Sequence, residues 1–232
     1  DRWTEEDEQQ SLQRVQQQGE ACTPFWRQKY VTSAGANWHA FYQRNTNRFY
    51  KDRHYLHVAF PELAPPPVGD SDGIDGYPRL DLLERITGRQ CDVTRDTLPP
   101  EGSMDIVLCM FVLSAIPPEQ HASVVRRLAQ TLRPGGKLLF RDYGRFDEAQ
   151  LRFRRGSKLS EHFYVRQDGT CSFFFQEQEL TELINGCQGQ GIGEAKGQGR
   201  RWGMATEECY AITRQYANRK QQAARRRVWI HA

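Results

Sequence analysis

The run MDIVLCMFVLSAI, residues 104–116 of the 232, constrains this chain more than any other segment. A nearly continuous apolar stretch of that length, closed by Pro117 and Pro118, reads as a strand buried on both faces of a parallel sheet. The two prolines then suit the opening turn of a helix. Val124, Val125, Leu128, Ala129 and Leu132 fall on one stripe of that helix, with Gln120, Arg126, Arg127 and Gln130 on the other side. Arg133, Pro134, Gly135 and Gly136 end it, and 137–140 start a second strand. Strand, helix and strand in this order predict a right-handed crossover within a mostly parallel sheet, hence an α/β fold.

Three stretches are expected along the chain. Residues 1–24 are rich in Glu and Gln with only Leu12 and Val15 as apolar anchors, so a polar, loosely held arm is predicted. Residues 25–63 interleave aromatics with bases, and Trp38, Phe41, Tyr42 and Phe49 lie near helical spacing, which predicts an amphipathic helix. Residues 64–232 form the α/β body. Within it, 64–67 and 69–76 read as loop, 80–86 as a short helix, 164–175 as a hairpin turning at Asp168 and Gly169, and 228–230 as a last strand. The glycine-dense 186–203 reads as an insertion. Its GQGIG run follows no convincing strand and opens no apolar helix, so a nucleotide loop is not assigned there.

Composition bears on function in three places. No stretch approaches the roughly 20 apolar residues that span a bilayer, so no membrane association is expected and the localisation is expected to be cytoplasmic, with mitochondria left open. The six cysteines (22, 91, 109, 171, 187 and 209) include no CxxC pair, so reduced thiols and no metal are expected. The net charge is only +3, but acids crowd the first twenty residues and the last nineteen hold Arg214, Arg219, Lys220, Arg225, Arg226 and Arg227 with no acid, which implies a basic face.

NWHAFYQRNTNRFYKDRHYL at 37–56, MDIVLCMFVLSAI at 104–116, LRPGGKLLFRDYGRFDEAQLRF at 132–153 and HFYVRQDGT at 162–170 together resemble the transfer-RNA N3-methylcytidine methyltransferases, in this order and across most of the chain. PGG between a helix and a strand is common to many methyltransferases; FYKDR, FVLSAI, FRDYG and YVRQDGT in succession are specific. The resemblance implies a Rossmann-like class I fold, S-adenosyl-L-methionine as cofactor, tRNA as substrate, and an aminoacyl-tRNA synthetase or other accessory protein as a further partner. One departure follows from counting. Between FPEL and CDVT the family carries a strand, a glycine-rich loop, a helix and a second strand, about 40 residues or more on ordinary element lengths, and here only 64–90 fill the gap. The fold is therefore expected to be incomplete in its N-terminal half. Two readings stay open: an enzyme forming 3-methylcytidine in the anticodon loop, and a catalytically inactive RNA-binding or partner-binding relative.

Methyl transfer to cytosine N3 requires no strong base, because the ring nitrogen already carries a lone pair near pH 7. It requires extraction of the base, alignment and exclusion of water. The product ring is cationic, so Asp142 is the candidate for stabilising developing charge, with Tyr143 to stack on the base and Arg141 to hold a phosphate or brace Asp142. By resemblance, Trp38, Tyr42 and Arg53 close over the methionine end of the cofactor, Asp92 meets its adenine, and Met110 and Phe111 line the adenosine pocket. Phe49 and Lys51 fall on the substrate side. Arg145, Arg152, Arg154, Arg155, Lys158 and Arg166 are candidates for following the RNA backbone. Packed aromatics and a solvated basic surface are the plain alternatives for these groups.

Overall fold

A computed structural model describes residues 3–46, 56–63, 87–186, 203–218 and 223–232. The expected helix at 80–86, most of the glycine-dense insertion, and Phe49, Lys51 and Arg53 lie outside these residues. The chain divides into two compact units, 1–44 with 98–232, and 45–97.

The larger unit is built on a four-stranded sheet of order β1-β2-β7-β6, comprising β1 (Met104–Met110), β2 (Leu132–Tyr143), β6 (Tyr210–Asn218) and β7 (Ala223–His231). β1 and β2 are parallel, joined through a helix that we label α4 (His121–Thr131); β2–β7 and β7–β6 are antiparallel. The crossover is the one the apolar pattern predicts: Val124, Val125 and Ala129 of α4 are buried. His121, at its start, is also buried, with Nε2 2.9 Å from the carbonyl of Ile116 and its ring edge-on to Phe173 at 5.0 Å. Burial pushes its pKa down, which keeps the imidazole neutral near pH 7.

The reading of 104–116 as one strand buried on both faces is corrected. β1 ends at Met110, Phe111 turns into the left-handed region at φ 53°, and a 3-10 turn over Leu113–Ala115 follows. Among the described strands β1 pairs on one side only, so of its seven residues only Cys109 is buried and Leu108 is 40% exposed. A segment whose apolar composition matches an interior strand thus has one neighbour among the described strands.

A second sheet, β3-β4-β5 (Lys158–Ser160, Phe163–Val165, Cys171–Phe173), contains the expected hairpin. Phe163 pairs with Phe173 and Val165 with Cys171, and Gly169 takes φ 80° in the turn, where Asp168 Oδ1 accepts from the backbone N–H and hydroxyl of Thr170. Phe163, Tyr164, Cys171 and Phe174 have no exposed surface. Burial pushes the Cys171 thiol up to about 12, so it behaves as a small core group.

The N-terminal stretch is also corrected. Residues Glu5–Gln17 form helix α1, opened by a reciprocal Thr4–Asp7 capping box. It is held by aromatic and polar anchors rather than by an apolar stripe, which is why its pattern hides it. Trp3 stacks on Phe146 at 5.8 Å with Arg226 over its ring, Asp7 pairs with Arg226 at 2.9 Å, and Gln18 Nε2 donates to the Gln150 carbonyl at 2.7 Å. The Arg226 guanidinium is the main cause of the lowered pKa of Asp7. Helix α2 (Pro24–Asn45) follows, 22 residues long, with only Ala34 and Phe41 buried. It is tied to the hairpin where Asn37 Nδ2 donates to the carbonyl of Gly169 at 2.8 Å. A Cβ at Gly169 would lie 2.7 Å from that same Nδ2. Gly169→Ala is therefore expected to cost about 1–2 kcal/mol from the left-handed backbone alone, more with the displaced Asn37, read as a lowered denaturant midpoint.

The smaller unit contributes helix α3 (Leu56–Ala59), a 3-10 turn over Pro61–Leu63, and a loop at 87–97.

Candidate substrate site at the ends of the parallel strands

Ligands of open α/β sheets bind beyond the carboxyl ends of parallel strands. Here β1 and β2 end side by side, Met110 opposite Arg141, and the residues that follow converge. Asp142 has no exposed surface. Its Oδ2 accepts from the backbone N–H of Ser114 at 2.9 Å and its Oδ1 from that of Tyr143 at 2.8 Å. One carboxylate thus ties the end of β2 to the turn after β1. Burial pushes its pKa up to about 6, against the lowering effect of the Ser114 and Tyr143 bonds. Cys109, buried beside it, is pushed to about 12 by desolvation and by the Asp142 charge.

Tyr143 stands at the centre of the site. Its ring lies 5.1 Å from that of Phe111 and 5.7 Å from that of Phe174. The guanidinium carbons of Arg166 and Arg227 lie 5.8 and 5.7 Å from its ring centre. Arg166 also reaches the Trp38 ring at 5.5 Å, so helix α2, the hairpin and β2 meet around one guanidinium. The Trp38 indole N–H is buried with no acceptor among the described residues, and Tyr42 stacks on Trp38 at 5.8 Å while remaining 40% exposed. A buried donor of this kind beside an exposed aromatic ring is a candidate contact for a bound group. Phe111, bulky and in the left-handed region, is the type of strained backbone found at binding sites.

An aromatic row leads from this centre to a basic loop. Phe174 lies 5.8 Å from Tyr164, and Tyr164 is stacked on Phe153 at 4.7 Å and 13°. Phe153 anchors the turn that carries Arg152, Arg154 and Arg155, all exposed. After β2 the chain forms only the short helix α5 (Glu148–Leu151), because Arg152 to Ser157 turn back to start β3.

The structure therefore brings together Trp38, Tyr42, Met110, Phe111, Asp142, Tyr143 and Arg166. Arg141 is elsewhere occupied: it is 5% exposed with its guanidinium over Trp229 at 5.0 Å. Arg145 lies over Phe146 at 4.4 Å, and Lys158 is half-buried. Asp92, in the smaller unit, caps its own turn: Oδ1 accepts from the N–H and hydroxyl of Thr94, and Oδ2 pairs with Arg95 at 2.9 Å. Ser114, Phe174 and Asp147 were not singled out from sequence, and Arg227 was read only as one of the bases of the C-terminal stretch. Asp147 has a legible signal, since an aspartate before EAQL is an ordinary helix N-cap, whereas the partner it finds 80 residues later has none.

Residues 65–187 match the family described as a methyltransferase domain. The chain is 38% identical to the tRNA N(3)-cytidine methyltransferase METTL6 of Pongo abelii, over 69% of this chain and 71% of that protein. The chain belongs to the tRNA N(3)-cytidine methyltransferase family. It is also 28% identical to the tRNA N(3)-cytidine methyltransferase METTL2 of Danio rerio over 300 residues, with 98% of this chain and 81% of that protein covered. That alignment is longer than the 232 residues present, so this relative carries segments with no counterpart here. Among solved structures, a SAM-dependent methyltransferase from Methanosarcina mazei matches with a TM-score of 0.38 and 14% identity, covering 60% of this chain and 63% of that one.

The cofactor expected of a family member can be tested against these residues. Phe111 and Tyr143 supply an apolar wall at the strand ends. A glycine turn between a strand and a helix start is not found among the described residues: Gly136 and Gly144 are required by close backbone and side-chain contacts with Asp105 and Val228 inside the sheet. Asp142, the carboxylate next to that wall, is enclosed. The described residues form one side of a cofactor site and do not by themselves fit the whole group. They also include no group of three or more potential metal ligands, and no helix long and apolar enough to cross a membrane.

Proposed function

We propose that this chain acts on tRNA, in the transfer of a methyl group from S-adenosyl-L-methionine to N3 of a cytidine in the anticodon loop, and that its described residues form the base-side half of the site. The observation that carries this reading is the half-buried ring of Tyr143, flanked by Phe111 and by the Arg166 and Arg227 guanidinium groups at the ends of two parallel strands. A flipped base is held by stacking and by cationic neighbours, which is what this arrangement offers. Asp142 acts through Tyr143 and the Ser114 turn as a positioning residue, and its charge lies within the low-dielectric interior behind the ring. The Trp38 N–H supplies a donor for an acceptor atom of the bound group.

The exposed Arg152, Arg154 and Arg155, on a turn fixed by the Phe153–Tyr164 stack, are the phosphate contacts of this reading. Cytoplasmic residence, and a synthetase or other accessory protein that presents the tRNA, complete the proposal. The second reading is a relative that binds tRNA without transferring a methyl group. Both are separated by measuring tRNA affinity against salt together with incorporation of labelled methyl into an anticodon stem-loop. Replacing the three arginines by alanine is expected to reduce the slope of log K against log salt by about 2, at roughly 0.7–0.9 per phosphate contact. An unchanged slope removes the loop from the interface, and tRNA affinity without incorporation by the chain alone selects the second reading.

A further inference from the structure

We infer that Asn37 is a positioning residue of the site: its amide clasps the turn of the hairpin and thereby sets the Arg166 guanidinium between the Trp38 and Tyr143 rings. The step from this geometry to methyl transfer rests on the reading above, that Tyr143 receives the base; the clasp itself does not.

Two of the segments that carry the family resemblance meet here, 37–56 at its first residue and 162–170 near its end. Asn37 Nδ2 donates to the carbonyl of Gly169 at 2.8 Å, across 132 positions of chain, in a half-buried setting. A carbonyl only accepts, so the orientation of this amide is fixed by its partner. The fit is close as well as polar, since a Cβ at Gly169 would lie 2.7 Å from Nδ2 and 3.1 Å from Cγ of Asn37. The turn itself is stiff. Arg166 N–H donates to the Thr170 carbonyl at 2.8 Å, Gly169 N–H donates to the Arg166 carbonyl at 3.0 Å, and Asp168 holds Thr170 through its N–H and hydroxyl. A displacement of Gly169 is therefore passed on to Arg166.

Helix α2 needs such a tie. Of its 22 residues only Ala34 and Phe41 are buried, so no broad apolar stripe fixes its position along the body. Arg27, in its first turn, pairs with Glu119, and Asn37 holds the middle, one residue before Trp38. The guanidinium carbon of Arg166 lies 5.5 Å from the Trp38 ring centre and 5.8 Å from that of Tyr143. A cation–π contact is attractive anywhere within about 6 Å of a ring centre, whereas a hydrogen bond weakens steeply away from its line. The directional bond at Asn37 is thus what decides where the cation sits against Trp38, and through the cation how Trp38 stands to Tyr143.

The test uses the full chain with Asn37→Ala, which removes the donor, Asn37→Asp, which sets a second acceptor against the Gly169 carbonyl, and Arg166→Met, together with each Asn37 variant combined with Arg166→Met. Asn37→Ala gives up one half-buried hydrogen bond and should fold. Trp38 emission, taken as the difference from a Trp38→Phe chain in the same background, reads the clasp without substrate. Both Asn37 variants are expected to shift it when Arg166 is present and to leave it unchanged in the Arg166→Met chain. Single-turnover methyl transfer to an anticodon stem-loop is expected to fall about tenfold in Asn37→Ala with affinity for the stem-loop within about threefold, because misplacement at a reacting centre is felt in rate before binding. With Arg166→Met already present, Asn37→Ala should bring no further fall. Emission shifts of equal size in both backgrounds overturn the inference, since that is what a merely structural tie gives. Coupled emission with additive losses of transfer overturns the link from the clasp to the reaction. Coupled emission in a chain that binds the stem-loop and transfers no methyl group leaves the clasp standing and sinks the proposed function instead.

Discussion

Asp147→Ala is expected to lower stability by about 2–4 kcal/mol, because it takes the acceptor from two backbone N–H groups at about 1–3 kcal/mol each and from a guanidinium that is itself a third exposed. Asp147 has no exposed surface and takes three donors: Oδ1 accepts from Ala149 N–H at 2.8 Å, and Oδ2 accepts from Val228 N–H and Arg227 Nε, both at 2.8 Å. It thereby caps α5 and clamps β7 to the chain after β2. Burial pushes its pKa up and the Arg227 charge opposes that rise, so the carboxylate is tolerated because of its partner. Alanine leaves two buried N–H groups without acceptors and frees a guanidinium that lies over both Tyr143 and Trp229. The loss is a large part of the margin of a small domain, about 5–15 kcal/mol, so Asp147→Asn provides the companion variant that folds more readily. It removes the charge and keeps the stem. If Asp147→Asn and Arg227→Met show additive effects in denaturant titrations, the pair is not coupled and the clamp is wrong.

Much of the central crossover is legible in sequence because its rules are local. Val124, Val125 and Ala129 lie on one face at helical spacing, the PGG turn separates helix from strand, and the Asp168–Gly169 turn carries its own residue signals. What was not legible depends on partners distant in the chain. Nothing near Glu5–Gln17 indicates a docked helix, because its anchors, Phe146, Gln150 and Arg226, lie more than a hundred residues away. The interior reading of β1 failed for the converse reason: its apolar composition matches a strand with two neighbours, and among the described strands it has one. The candidate site divides in the same way. Motif residues such as Tyr143, Phe111 and Trp38 do come together, whereas Arg166, read from sequence as a backbone contact, joins Trp38 to Tyr143 through a geometry that only the fold creates. Arg141 and Asp92 went the other way, since Arg141 is packed over Trp229 and Asp92 closes its own turn with Thr94 and Arg95.

Asp142→Ala is expected to reduce methyl transfer at least about 100-fold, the scale of an angstrom-sized misplacement at a reacting centre. Its affinity for tRNA should stay within about threefold, because Asp142 presents no surface to a ligand. The reason is positional: without Oδ1 and Oδ2 the amides of Tyr143 and Ser114 lose their acceptor, and the ring loses its fixed approach to Phe111. Stability carries an independent signature. Burial lifts the folded-state pKa to about 6 from an ordinary 3.8, so the folded chain binds this proton more tightly than the unfolded chain does. The contribution is fully present below about pH 4, declines as pH rises towards 6, and above that the ionised carboxylate costs up to about 3 kcal/mol relative to its protonated form. Asp142→Asn, neutral at every pH, should abolish that decline between pH 4 and 6 while retaining one of the two acceptor contacts and therefore part of the activity. A slope that persists in the Asn variant would assign the titration to another group, and an Ala variant with undiminished transfer would remove Asp142 from the positioning of Tyr143.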